Sequence, residues 1–314
     1  MSHAYGPVPS RRFGRSIGVS PIPPKACSYS CVYCQLGRTT DLRIKRASFF
    51  PVEDIISDIE KLVSVQGSNT DFITIVGDGE PTLSQDIGKI ISFCKQETSI
   101  PVAVITNGSL LWHPDVRHDL MNADVVSITL SAGDVETYQR LHRPHRDLDF
   151  ESVLDGMIIF SKEFRGELWA EVMMVAGIND SESALHSTKN QLDLISPKKI
   201  FIATPTRPPA EDWVKPPESD TVLNAASILG GSLEMTFPEI GDFSVVEGQD
   251  HVDTILQLCS RHPMMEKQVR DMEGRFEDKV VDNMVLRGLV EWKTYMGVKY
   301  LIPVRKKIQR GQNT

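Results

Sequence analysis

A chain of 314 residues, 40% hydrophobic and 24% charged, is long enough for one large or two moderate domains and has the composition of a soluble globular protein. No apolar run approaches a membrane span, the N-terminus lacks the charged and apolar regions of a signal peptide, and five cysteines are too few for a disulfide framework at this size, so a reducing cytoplasm is the expected compartment. The net charge of −8 is uneven: residues 1–50 hold eight basic side chains against Asp41 alone, a net +7, which leaves −15 for the rest.

In chain order, the pattern predicts a first strand over 16–21, a helix over 51–63 and a β-branched strand over 72–76. A helix capped by Ser84 runs to Cys94, followed by a strand over 102–106, a short helix over 114–121 and a strand over 125–130. Helical periods cover 134–141 and 150–164, a strand 168–175, a helix 181–194 and a strand 199–203. Strands alternating with helices in this way specify about six parallel βα units. Residues 205–218 are proline-rich and irregular, with a helix over 222–229 and a strand over 233–237 beyond them. The pattern then changes to three helices, 251–259, 264–272 and 276–287, the last ended by Gly288, and a hairpin of 289–294 with 299–304. The expected units are 1–248 for the βα domain, 249–304 for a winged-helix-like module, and a basic, disordered tail over 305–314.

Parallel α/β folds place their sites at the C-terminal ends of the strands. Each unusual motif follows a predicted strand: the cysteine loop, then Gly77-Asp78-Gly79-Glu80-Pro81, Asn107-Gly108, Ser131-Ala132-Gly133, Gly177-Ile178-Asn179-Asp180, and Thr204 to Pro209. They are expected to converge on one rim.

The cysteine loop reads Cys-Ser-Tyr-Ser-Cys-Val-Tyr-Cys, with Cys27, Cys31 and Cys34 spaced C-x3-C-x2-C. Three thiolates can hold three corners of a [4Fe-4S] cubane, which takes four cysteines when closed; the fourth iron is then open to a small molecule. The competing readings are a structural zinc site, which wants a fourth Cys or His in a second pair that this chain lacks, or three unconnected core thiols.

This run resembles the cluster motif of the radical S-adenosylmethionine (radical SAM) superfamily. The resemblance implies a partial (β/α)6 TIM-like barrel that binds a [4Fe-4S] cluster through Cys27, Cys31 and Cys34. It places Tyr33 near the adenine of S-adenosylmethionine, and the stretch Gly77, Asp78, Gly79, Glu80 at its amino group. Glycine allows close backbone approach there, although such a cluster taken alone is a turn. Asn107 is a candidate partner for ribose or carboxylate, Ser131 for ribose, and Gly177 with Ile178 for adenine. The implied chemistry is one-electron cleavage of the cofactor to methionine and a 5′-deoxyadenosyl radical, which abstracts hydrogen from a substrate. Electrons are expected from a separate flavodoxin or ferredoxin.

The N-terminal run 5–19, Arg143-Pro144-His145 and 206–211 resemble a prokaryotic group of predicted iron–sulfur oxidoreductases related to the wybutosine-pathway enzyme that remodels a guanosine in tRNA. Arg11, Arg12, Arg143, His145, Arg207 and Glu211 are substrate-site candidates on that basis, or else structural ion pairs and caps. RNA, a peptide or protein, and a small metabolite are the substrate classes in view, with RNA first because of the basic N-terminal region. A glycyl-radical activating enzyme is the alternative within enzymes. A metal-containing nucleic-acid-binding regulator is the alternative outside them. Against the latter, the predicted third helix of the C-terminal module carries more acids than bases, which suits docking better than DNA; the basic tail argues the other way. Cys94 and Cys259 read as buried thiols rather than as ligands of a second cluster.

Overall fold

The computed structural model describes residues 2–235, 243, 250–276 and 279–304. The chain divides into two compact units, Met1–Ser244 and Val245–Thr314.

The first unit contains strands β1 (Ala4–Ser10), β2 (Gly14–Val19), β3 (Ala26–Cys27), β4 (Asp41–Leu42), β5 (Phe72–Ile75), β6 (Val102–Thr106), β7 (Val125–Thr129), β8 (Glu167–Met173), β9 (Lys199–Ala203) and β10 (Ser232–Met235). Its helices are α1 (Val52–Gln66), α2 (Ile87–Glu97), α3 (Pro114–Leu120), α4 (Val135–His142), α5 (Phe150–Glu163), α6 (Glu182–Ile195) and α7 (Ser219–Leu229). The main sheet runs β1-β2-β5-β6-β7-β8-β9-β10. From β2 to β10 every pairing is parallel.

The six predicted parallel strands are therefore present, and β10 adds a seventh on β9. The first strand ends at Val19 rather than at residue 21, and β1 pairs with it antiparallel. Pro7 and Pro9 hide β1 from a pattern reading. They are tolerated because β1 is an edge strand, where a missing N–H breaks no ladder. Residues 236–237 of the last predicted strand lie outside the described residues.

The sheet is strongly curved. Phe13 stacks on Trp169 of β8 with ring centroids 5.3 Å apart. Phe13 precedes β2, and a flat sheet would put β2 and β8 about 19 Å apart, four strand spacings. Only a sheet curled toward a barrel brings the two rings together. Ala103, Val125, Phe201 and Ala203 join them in one buried cluster, which fills the inner face. Helices cover the outer face through apolar stripes such as Ile55, Ile59 and Leu62 of α1.

Capping fixes where several helices begin. Asp134, Asp149 and Ser181 each accept a hydrogen bond from the backbone N–H three residues on. Ser84 is not the cap of α2, contrary to expectation. The segment Pro81–Leu83 forms a 3-10 turn first, and α2 starts after Asp86. No helix among the described residues is long and apolar enough to cross a membrane.

The second unit has α8 (His251–Arg261), β11 (Met264–Met265), α9 (Glu266–Glu273), α10 (Val281–Leu286), β12 (Val290–Tyr295) and β13 (Val298–Pro303), with the sheet order β11-β13-β12. The hairpin turn is Met296-Gly297, both with left-handed φ (49° and 76°), as a tight two-residue hairpin requires. The predicted second helix loses its first turn because Met264 and Met265 pair with Leu301 and Tyr300. The predicted third helix shrinks to Val281–Leu286: Phe276 instead stacks on His251 at 3.9 Å, and Lys279 and Val280 are non-helical. Residues 277–278, the boundary at 248–249 and the tail 305–314 lie outside the described residues.

Candidate cofactor site

The cysteine loop is closed at its base. β3 pairs with β4, Arg43 N donates to Cys27 O at 2.9 Å, and Asp41 N donates to Lys25 O at 3.1 Å. Within the loop Cys34 N donates to Cys31 O and Gly37 N to Cys34 O, so the thiols sit on successive tight turns. One flank is fixed by the end of α4 and the segment after it. Ser30 N donates to His142 O (2.9 Å), Val32 N to Leu141 O (3.0 Å) and His145 N to Ser28 O (2.8 Å). The motif Arg143-Pro144-His145 thus contributes backbone to the loop's support.

The loop after β5 fixes the other flank. Lys25 N donates to Asp78 O at 2.7 Å, and Glu80 N donates to Ala26 O at 3.0 Å. A Cβ on Gly79 would lie 1.9 Å from the Ala26 carbonyl oxygen. Glycine is needed there because two backbones meet, whatever else the loop binds. Gly77 needs glycine for its left-handed φ of 61°. Asp78 is buried, and its N–H donates to Ser20 Oγ at 3.0 Å.

Glu80 is buried and ties the loops after β5 and β6 together. Its Oε1 accepts from Thr82 N (3.0 Å), Thr82 Oγ1 (2.6 Å) and Thr106 Oγ1 (2.6 Å), and its Oε2 from Asn107 N (2.7 Å). Burial raises its carboxyl above the ordinary range, with these four hydrogen bonds opposing the shift. Asn107 in turn donates from Nδ2 to Ser28 Oγ at 2.8 Å and lies 3.7 Å from Cys27 Sγ. The loops after β5 and β6 therefore converge on the cysteine loop, as expected.

Ser131 is fully buried, and its Oγ accepts from Met173 N at 2.8 Å. Asn179 reaches Ser131 O (2.9 Å) and Met173 O (2.8 Å) through Nδ2, and accepts from Val175 N (2.8 Å). Gly177 has φ 73° and open space where a Cβ would stand. Ile178 and Tyr33 pack on the same cluster of Val32, Leu141, Val175 and Val214. Two of the three residues expected beside adenine, Tyr33 and Ile178, are thus brought onto one apolar wall.

His142, which the sequence reading passed over, lies behind the cysteines. Its Nδ1 is 3.3 Å from Cys31 Sγ and 3.4 Å from Tyr33 Oη, and its ring stacks on Tyr29. Burial lowers its pKa to about 3, so the ring is neutral. A lone histidine at a helix end gives no sequence signal beyond its place beside Arg143.

The three cysteines are half-buried, and the protein around Cys27 and Cys31 opposes their ionisation. Cys27 is pushed up to about 12, by burial first and the Glu80 charge second. Cys31 is raised well above its ordinary value by burial, then by the charges of Cys27 and Cys34. A bound metal would neutralise thiolates crowded in this way. No group of three or more His, Cys, Asp or Glu among the described residues is arranged to hold a single ion.

Of the substrate-site candidates, Glu211 is buried between Arg38, which grips it with Nε (2.8 Å) and Nη2 (2.7 Å), and Arg143 Nη1 (2.5 Å). Its backbone N–H also donates to Val32 O at 3.1 Å. Arg207 Nη1 donates to Gln35 Oε1 at 2.7 Å, beside Cys34. Arg12 lies inside the curved sheet, bonded to Ser127 Oγ (2.9 Å) and Glu171 (3.1 Å). Arg11 lies in the β1–β2 turn. Arg43 pairs with Asp41 and Arg46 with Asp119. At least four of the eight N-terminal basic side chains therefore spend their charge on acids of the fold, Arg12 and Arg38 included.

The Glu211 pair makes a pH prediction. Its hydrogen bond with Arg38, foremost, and its contacts with Arg143 hold its carboxyl below the ordinary value of 4.5. A lowered folded pKa stabilises above the unfolded value, and that contribution is lost as pH falls through the folded value. Thermal unfolding followed from pH 7 downward is expected to show a loss of stability below about pH 4.5 that is smaller in Glu211→Gln. Identical pH slopes would show that the pair contributes nothing.

Comparison with known proteins agrees with this geometry. The sequence profile of the radical SAM superfamily matches residues 22–186. A UPF0026 protein of Methanocaldococcus jannaschii is 34% identical over 324 aligned positions, covering all of both chains. One from Helicobacter pylori (strain J99) is 31% identical over 83% of this chain and 84% of its own. In fold, the chain is similar to TYW1 with a lysine-pyruvate adduct bound, with TM-score 0.53, 19% identity, and coverage of 68% of this chain and 72% of that one. It is also similar to a radical SAM methyltransferase from Sphaerobacter thermophilus, with TM-score 0.51, 14% identity, and coverage of 68% and 63%. The chain belongs to the radical SAM superfamily, and within it to the UPF0026 proteins. Membership implies an iron–sulfur cluster and S-adenosylmethionine.

Proposed function

We propose that this chain cleaves S-adenosylmethionine reductively at a [4Fe-4S] cluster held by Cys27, Cys31 and Cys34, and uses the resulting radical to abstract hydrogen from a substrate. The observation that carries this reading is the convergence of the three-cysteine loop with the Gly77–Glu80 and Asn107 loops in a chain of this superfamily. When bound, the cluster supplies the electron that breaks the sulfonium carbon–sulfur bond. The rest is the work of the protein. The backbone of the Gly77–Glu80 loop, held flat against Ala26, presents carbonyls to the cofactor's amino group. Glu80 acts chiefly by holding Asn107 in place. Tyr33 and Ile178 give adenine an apolar wall. The Phe13–Trp169–Phe201 cluster fills the inner face of the curved sheet.

The electron donor we propose is an external flavodoxin or ferredoxin. Strand and helix order in the second unit supports a winged-helix-like module that docks a substrate or partner. An RNA substrate remains our first proposal from the N-terminal motif, although the paired arginines weaken the electrostatic case for it; RNA that copurifies with the protein would support it. Anaerobically purified, reduced protein is expected to convert S-adenosylmethionine to methionine and 5′-deoxyadenosine. A colourless zinc protein that leaves the cofactor intact would contradict the proposal.

A further inference from the structure

Each of the three thiols meets a side-chain nitrogen, and the three nitrogens come from different segments. Lys25 Nζ lies 3.7 Å from Cys34 Sγ and also donates to Gly37 O. Asn107 Nδ2 lies 3.7 Å from Cys27 Sγ, which also accepts from Tyr29 N at 3.5 Å. His142 Nδ1 lies 3.3 Å from Cys31 Sγ. A cluster-bound thiolate has no proton and can only accept, so a hydrogen bond from His142 to a ligating Cys31 requires the tautomer with Nδ1 protonated.

Lys25 is the most constrained of the three. Its φ is 66°, in the left-handed region that a side chain rarely adopts. The conformation is imposed from both sides, by Asp78 O on its N–H and by Asp41 N on its carbonyl. Backbone strain held in this way clusters at functional sites. Here it keeps an ammonium over the last cysteine of the motif.

Hydrogen bonds to cluster sulfurs and nearby positive charge favour the form of the cluster with the extra electron. We propose that Lys25, Asn107 and His142 are positioning residues that each direct an N–H to one cluster thiolate and so raise the potential at which the cluster accepts its electron. This rests on the reading of the site given above. The step is a single-electron uptake by the oxidised cluster from the external donor, with no bond made or broken in the protein.

The test uses anaerobically reconstituted full-length protein. Iron and sulfide per chain are measured beside an EPR-monitored redox titration for wild type, Lys25→Met, Lys25→Arg, His142→Phe and His142→Gln. Lys25→Met and His142→Phe are expected to load iron and sulfide as the wild type does and to titrate at a more negative midpoint. Lys25→Arg and His142→Gln, which keep an N–H donor, are expected to recover most of the shift. Loaded Lys25→Met and His142→Phe at the wild-type midpoint overturn the inference, as does a Lys25→Arg midpoint no closer to wild type than that of Lys25→Met. If buried His142→Phe fails to load, the Lys25 pair decides by the same titration. A wild-type chain that loads no iron sinks the reading of the site itself, which sets that failure apart from this one.

Discussion

Reconstituted without oxygen, Cys31→Ala is expected to bind no stable cluster and to leave S-adenosylmethionine uncleaved. Cys31 is the middle thiol of the loop, fixed from behind by the Ser30 and Val32 hydrogen bonds to the end of α4. With it gone, two thiols hold at most two iron corners. Cys27→Ala and Cys34→Ala are expected to behave alike. The internal controls are Cys94→Ala and Cys259→Ala. Both thiols are fully buried in helices, α2 and α8, and their variants are expected to keep the cluster. Iron content and 5′-deoxyadenosine yield check all five. A Cys31→Ala protein with full iron and full cleavage would refute the ligand assignment.

Glu80→Ala is expected to be the most damaging single change that leaves the cysteines alone. The carboxylate satisfies Thr82 N, Thr82 Oγ1, Thr106 Oγ1 and Asn107 N at once, all around a buried centre. Truncation leaves these donors without a partner, at a cost of about 3–5 kcal/mol. For a unit of this size that lowers the melting temperature by roughly 10 °C. Glu80→Gln is expected to fall between, since its amide nitrogen can replace Oε2 only by facing Asn107 N–H, donor against donor. The experiment is thermal unfolding of cofactor-free protein. If Glu80 served only as a contact for the cofactor, the cofactor-free variant would melt as the wild type does, and that result would overturn the bridging role.

These two residues also show what a sequence can disclose about such a site. The three thiols lie within eight positions, so their spacing points to a shared cluster, and the motifs after successive strands follow from the βα pattern. Glu80 and Gly79 were visible as motif residues, but their reasons were not. Gly79 is required by the carbonyl of Ala26, and Glu80 by Thr106 and Asn107, contacts made only when neighbouring strands pair. Lys25 and His142 carried no signal, because each acts through a partner set by tertiary packing. His142 stands 111 positions from Cys31. The reverse error came from local pattern. Ser84 and Met264 look like helix starts, yet the 3-10 turn before α2 and the pairing of Met264 with Leu301 override them. The edge strand β1 was hidden by its prolines.

The most direct test of the account is the EPR spectrum of the reduced, reconstituted wild-type protein before and after addition of S-adenosylmethionine. If Cys27, Cys31 and Cys34 hold a cluster with one iron open, the cofactor's amino and carboxylate groups bind that iron and the spectrum changes. A reduced cluster whose spectrum is indifferent to the cofactor would contradict the account.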